Sequence, residues 1–240
     1  MENTLYLGLS RQIVLQNNLD IVANNIANVN TNGFREQSPV FEEYLADPRG
    51  NGDPLSFVLD YGQYQNTAPG SITQTGNDMN VALNGPGFLA VQLPDGSTGY
   101  TRDGNFLKTA DGTLVNSAGY PLLGSGGPIT VPADSTEFVV DERGVLSNQS
   151  GQIGRLRVVE FENLQSLKPK GNNAYTTSSP EQEAANTVVR QGYLEGSNVQ
   201  PVVEITRMIK ILRHFQSVQR MLEVEHDRQR NAIQKLTGGS

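Results

Sequence analysis

Between Leu5 and Val29, spacings of three and four pick out Leu5, Gly8, Gln12, Leu15, Leu19, Val22, Ile26 and Val29, six of the eight apolar. That period predicts one helix from about Asn3 to Val29, roughly 40 Å long. After Phe34 the pattern breaks. Pro39, Pro48, Pro54 and the RGNGD cluster forbid a long helix, so residues 36–75 read as an extended or partly ordered connector. Within it Phe41, Tyr44 and Leu45 fit a short turn of helix. From Met79 to Leu194 the period shifts toward two, with β-rich runs FLAVQL (88–93), EFVVD (137–141) and RLRVVEF (155–161). Asp-Gly pairs begin at 95, 103 and 111, the even spacing of hairpin turns between short strands. Past Gly196-Ser197-Asn198 the helical period returns, with Ile205, Met208, Leu212, Phe215, Leu222, Ile233 and Leu236 on one stripe. Gln219, His226 and Gln229 interrupt it, and Pro201 sits where a first helical turn tolerates proline. This last helix would run roughly 54 Å to Leu236.

The stretch Val22–Arg35, VANNIANVNTNGFR, places polarity where a helix would ordinarily bury apolar side chains. Asn24, Asn25 and Asn28 are poor helix formers because their short amides compete for nearby backbone groups. Helix termination explains Asn30-Thr31-Asn32-Gly33, since Asn and Gly tolerate the left-handed conformation that ends helices. It does not explain the earlier asparagines. Their amides are either solvated or bonded to partner chains, and bonding to partners is the reading that repays their cost.

The organisation predicted is α+β: residues 1–35 as an N-terminal helix, 36–75 as connector, 76–195 as a β-rich antiparallel domain and 196–240 as a C-terminal helix. Each terminal helix has a narrow apolar seam and cannot be stable alone. The two are expected to pack as a coiled-coil-like pair, completed only when neighbouring copies surround it. That describes a subunit more than a free-standing monomer.

Composition sharpens this. The chain has 240 residues, 25 Gly, 12 Pro, no Trp and only 36% hydrophobic residues, so its core is spread thin. With no Cys, disulfides and thiolate metal sites are excluded. The opening MENTLYLGLSRQ lacks the basic run and apolar core of a secretory signal, and no stretch is long and apolar enough to insert in a membrane. The net charge of −7 is unevenly placed: residues 201–240 carry seven Lys or Arg against four acids, residues 1–35 balance two against two, and the middle holds the acidic excess.

Candidate chemistry is thin. Gly85-Pro86-Gly87-Phe88-Leu89-Ala90 has the letters of a dinucleotide fingerprint but precedes a β run instead of opening a helix, so it reads as turn chemistry. The Asp-Gly pairs lack the alternating ligands of a calcium loop. His214 and His226 lie too far apart on one helix to share a metal, and no catalytic constellation of Ser, His and acid is suggested. Glu42-Glu43 and Asp141-Glu142 read as solvated charge. The basic residues of the last helix alternate with Glu204, Glu223, Glu225 and Asp227, which fits a salt-bridged bundle better than a nucleic-acid reader. The expected roll of catalytic residues, metals and cofactors is therefore empty.

Three stretches, in order, resemble one family: the axial proteins of the bacterial flagellum, the rod and hook subunits. VANNIANVNTNGFR looks like the family's Asn-rich signature; Thr75–Gly124 is similar to its shared β block; and GYLEGSNVQPVVEITRMIKILRHFQSVQRMLEVEHD, from Gly192, looks like its C-terminal helix. The resemblance implies a non-enzymatic structural subunit of the basal-body rod, with helical termini inside and the β domain outside, assembling into a torque-transmitting shaft. It also implies other rod subunits, proximal and distal, and the flagellar type III export apparatus as partners, export without a cleaved signal, and residence in the periplasm-spanning rod. The opening and the length resemble proximal more than distal subunits, and a hook protein would need a larger outer domain. The candidate assembly interface comprises Leu19, Val22, Ile26 and Val29 with Ile205, Met208, Leu212, Phe215 and Leu222 in the seam, Asn24, Asn25 and Asn28 bonding across chains, and Asn32 and Gly33 beside them. A β-domain binding or enzyme module with merely dimerising helices is the alternative.

Overall fold

The computed structural model describes residues 2–46, 55–132 and 138–237. Pro48, Pro54, the RGNGD cluster and Glu137 of EFVVD lie outside the described residues. The chain divides into two compact units: Met1–Ala27 with Gln37–Gln65 and Gln200–Ser240, and Asn28–Glu36 with Asn66–Val199. The two long terminal helices and the central antiparallel β region are both present, as expected.

In the first unit α1 (Glu2–Ala27) packs against α2 (Pro201–Thr237). Asn25 bonds Glu204, and a Cβ on Gly8 would meet the Leu222 side chain, so the two helices run antiparallel. Two strands, β1 (Gln37–Ala46) and β2 (Leu55–Gln65), pair antiparallel with a register shift between Val40 and Phe41. The helical turn expected at Phe41, Tyr44 and Leu45 is strand instead. Here cross-strand pairing overrides local preference, and Pro39 is tolerated because a two-stranded ribbon is all edge. α1 also ends at Ala27, two residues before the expected Val29. Asn28 closes it, its carbonyl accepting from the Thr31 N–H at 3.1 Å and its side-chain oxygen from the Thr31 hydroxyl at 3.1 Å.

The second unit is built around a six-stranded antiparallel sheet ordered Lys168–Gly171, Ala174–Thr176, Thr98–Thr101, Phe88–Gln92, Val158–Glu160, Gln182–Glu183. The continuous apolar run FLAVQL makes a strand covered on both faces. Leu89 and Val91 enter one core with Phe106, Leu114 and Leu146, while Phe88 and Ala90 enter a second with Phe161 and Tyr175. RLRVVEF divides between two strands, Gly151–Arg155 and Val158–Glu160, with Leu156 buried between them. Two further pairings, Ile72–Gln74 with Tyr193–Glu195 and Val81–Asn84 with Val188–Gln191, bring together the unit's early and late segments.

Two of the three Asp-Gly pairs turn hairpins, with Gly96 and Gly112 at φ +81° and +83°. The third does not. A Cβ on Gly104 would lie 1.6 Å from the Val81 carbonyl oxygen, so this glycine lets two backbones touch. Asp103 beside it accepts from the Asn105 N–H at 3.0 Å and from the Ser117 hydroxyl, and burial pushes its carboxyl above the usual range. The fingerprint-like Gly85 and Gly87 are likewise packing residues, lying against Asn186 and Thr187.

Tyr100 packs edge-on against Phe161 at 4.8 Å and donates to Glu181 at 3.1 Å. Burial, then the Glu181 charge, raises its phenol to about 12. The unfolded phenol ionises near pH ~10, so between that pH and the folded value the unfolded chain holds fewer protons and stability falls as pH rises. Denaturant unfolding across this alkaline window should show that loss in the wild type and a flatter profile in Tyr100→Phe.

Candidate functional site

The Asn-rich tract contributes to two polar clusters, one in each unit. In the first, Asn25 sits on the last turn of α1 with 0% of its surface exposed. Its Nδ2 donates to the Gln37 carbonyl at 2.8 Å and to Glu204 Oε2 at 2.9 Å, and its Oδ1 accepts from the Gln37 N–H at 2.9 Å. The side-chain amide thus pairs with the peptide groups of residue 37 as a neighbouring strand would. Glu204, buried in the first turn of α2, accepts from Arg207 at 2.6 Å through its other oxygen. A carboxylate there also favours the helix N-terminus. An internal Asn costs a helix up to about 0.7 kcal/mol, whereas neutral hydrogen bonds return about 0.5–1.5 kcal/mol each and charged ones about 1.5–3 kcal/mol. The bonds outweigh the propensity.

An amide nitrogen has two hydrogens, and both are used within the chain.

The second cluster takes up the residues that follow the helix. Asn173 donates to the Asn32 carbonyl at 2.7 Å, and the Gly33 N–H donates to the Glu195 carbonyl at 2.8 Å. Gly33 has φ +67°, and a Cβ there would lie 2.4 Å from the Arg102 backbone, so both conformation and space require glycine. Arg35 Nη2 pairs with Glu195 Oε1 at 2.9 Å, Arg102 Nη2 faces Glu195 Oε2 at 2.9 Å, and the Gly70 N–H donates to Oε1 at 3.0 Å. The three charged side chains are at most 5% exposed. Burial pulls both guanidiniums below their ordinary range, and Glu195 opposes it. Arg35 also donates to the Ala68 carbonyl, Arg102 to those of Gly85 and Gly87, and the Arg102 guanidinium stands 5.6 Å from the Phe88 ring centre. Asn198 completes the cluster: it accepts from the Glu36 N–H at 2.6 Å and donates to the carbonyls of Asn66 and Ala68 at 3.0 and 2.8 Å.

The expected interface residues fall into separate groups. Val22 is buried, and Leu19, Ile26, Met208, Phe215 and Leu222 are half-buried. Asn24 is exposed on α1; Asn28, Val29 and Asn32 are half-buried beyond its end; Gly33 is buried. Ile205 and Leu212 leave the expected seam, at 49% and 41% exposed. Glu204, Ile211 and Val218 are buried instead, one position before the expected residue in the first two cases. The charged and polar partners Arg35, Arg102, Glu195, Asn198 and Glu204 were not singled out as site residues. The available signal was position: Arg35 closes the Asn-rich tract, and Glu195 and Asn198 lie just ahead of the last helix.

His214 and His226 are exposed on α2. Among the described residues no group of three or more His, Asp or Glu is placed to hold a metal, and no helix is long and apolar enough to cross a membrane.

Residues 5–35 match the family model described as flagella basal body rod protein, residues 82–148 the flagellar hook protein FlgE/F/G D1 domain, and residues 190–235 the flagellar basal body rod FlgEFG protein C-terminal region. The chain is similar to the flagellar basal-body rod protein FlgF of Caulobacter vibrioides, with 40% identity over 98% of both chains. It is 32% identical to FlgF of Mesorhizobium japonicum over 98% of both. Against the rod protein FlgG of Bacillus subtilis, identity is 34% over 90% of this chain and 92% of that one.

Glu195→Gln should leave two buried guanidiniums without their carboxylate and cost about 3–5 kcal/mol of folding stability. Gly33→Ala should also destabilise, through backbone strain and collision with Arg102. Denaturant unfolding of the full chain measures both; stability within about 0.5 kcal/mol of wild type, as for an unremarkable surface change, would contradict the packing described.

Proposed function

This chain belongs to the flagellar basal-body rod proteins, and from that premise we propose that it is a structural subunit of the proximal rod, assembling into the helical shaft that transmits torque. The carrying observation is its similarity over 98% of both chains to FlgF of Caulobacter vibrioides. A distal position is the second reading, favoured by the 34% identity to a FlgG protein. The partners on either reading are other rod subunits, with the flagellar export apparatus delivering the chain to the basal body.

Mechanism follows from surface the chain leaves open. On α1, Tyr6, Leu9 and Ile13 are exposed at spacings of three and four; on α2, Val202, Ile205, Ile209 and Leu212 continue the same alternation. Isolated exposed apolar residues are ordinary, but two periodic stripes, one toward each end of the antiparallel pair, are candidate interaction surfaces. Each Leu or Ile covered by a neighbour would contribute roughly 1.5–3 kcal/mol against the cost of association. Within the chain, Glu204, Met208, Ile211, Phe215, Val218 and Leu222 alternate in the way that supports a coiled-coil-like pair. The helices would form the inner layer of the shaft and the β domain the outer. Head-to-tail stacking needs two different complementary faces, and the two stripes are candidates for them. Ile205 and Leu212 thereby keep their role at the assembly interface, as does exposed Asn24, while Val22 and Asn25 act from inside the subunit.

Replacing Ile205 and Leu212 together with Lys should change the free chain's stability by only about 0.5 kcal/mol per site while abolishing rod completion and swimming in cells that carry no other copy. Normal motility from the double variant would contradict this use of the stripe.

A further inference from the structure

We infer that residues 33–36 form a mechanical lock, closing the mouth of a β stem that would otherwise unzip when the chain is under tension. The lock belongs to the second unit alone and does not depend on which position the chain takes in a rod.

The early and late segments of that unit make one antiparallel stem. Val81–Asn84 pairs with Val188–Gln191, and nearer the mouth Ile72–Gln74 pairs with Tyr193–Glu195. Beyond these the Gly196 N–H donates to the Ser71 carbonyl at 2.8 Å, and Asn198 reaches the carbonyls of Ala68 and Asn66. The entering arm and the leaving arm therefore open at the same end, close to Asn66 and Val199, where the chain passes out of the unit. Tension that parts those ends pulls along the inter-strand hydrogen bonds, which lie across the strands, and meets them one pair at a time. A plain stem loaded this way peels.

The tract 33–36 removes that weakness by binding both arms at the mouth. On the leaving arm, the Gly33 N–H donates to the Glu195 carbonyl at 2.8 Å, the Phe34 carbonyl accepts from the Asn198 N–H at 3.2 Å, and the Glu36 N–H donates to Asn198 Oδ1 at 2.6 Å. On the entering arm, the Glu36 carbonyl accepts from the Asn66 N–H at 2.8 Å and its carboxylate from Asn66 Nδ2 at 3.3 Å. Arg35 spans the two, paired with Glu195 on one arm and donating to the Ala68 carbonyl on the other. Glu195 also crosses directly, accepting from the Gly70 N–H at 3.0 Å. Parting the arms loads these bonds together. Arg35 and Glu195 are 4% and 1% exposed, so no water stands ready to replace a bond that breaks, and separating the pair strands buried charge.

The chain contains no cysteine, so two introduced thiols give unique attachment points for constant-force measurements on single full-length molecules. Tyr64→Cys with Gln200→Cys, both exposed just beyond the ends of the two arms, pulls the mouth apart; Pro94→Cys with Gln149→Cys, both exposed on turns, loads the same unit elsewhere. On the mouth axis the chain should hold its length until one abrupt rupture. Asn198→Ala and Arg35→Met should each raise the rupture rate on that axis roughly tenfold at the same force, as the loss of one or two hydrogen bonds implies, and leave the other axis within about twofold. Asn198→Ala carries this comparison alone if Arg35→Met does not fold. Stepwise lengthening on the mouth axis before either substitution is made overturns the proposal. So does equal acceleration on both axes, which is general loss of stability, or no acceleration at the mouth.

Discussion

A side-chain amide can offer two hydrogens and accept at its oxygen, and in Asn25 these capacities are spent inside one chain. Much of the first unit depends on that. The amide's reciprocal bonds with Gln37 start β1 against α1, and its remaining hydrogen meets the one carboxylate that α2 buries in its first turn. One polar residue at the end of a helix thereby joins three separate segments of a unit that also buries Val22, Ile211 and Val218.

The second unit uses charge for a related end. Glu195 receives Arg35 from the segment after α1 and Arg102 from the sheet region, and takes the Gly70 N–H as well. Burying three ionic groups is expensive, and the carbonyls of residues 68, 85 and 87 take guanidinium hydrogens that Glu195 does not. The tract from Asn32 to Glu36 is thus part of the β unit's own fabric, held by Asn173, Glu195 and Asn198. In a chain with few large apolar residues, such polar joints take on work that a larger core would do.

Local periodicity made both helices and the antiparallel β region legible, because those features repeat along the chain. What it missed depends on partners distant in sequence. Asn25 and Glu204 are 179 residues apart, and nothing near either residue announces the other. Ile205 and Leu212 read as seam residues because the start of α2 is apolar on more than one side, whereas the buried positions beside them are Glu204 and Ile211. β1 was missed because Gln37–Ala46 lacks clean alternation and gains its structure from pairing with β2. The 103–104 pair looked like its neighbours at 95 and 111, but its glycine serves a backbone crossing that only the fold creates. Of the candidate site, the Asn-rich tract was visible and its correspondents were not.

The Asn25 amide is bound within its own chain, while Asn24 and the apolar stripes are exposed. The most direct measurement is amide hydrogen exchange at Gln37 in the purified chain, since that N–H donates to the Asn25 side-chain oxygen. Exchange at Gln37 should be slow, comparable to the paired amides of β1, and should become fast in Asn25→Ala. Fast exchange at Gln37 in the unaltered chain would contradict it.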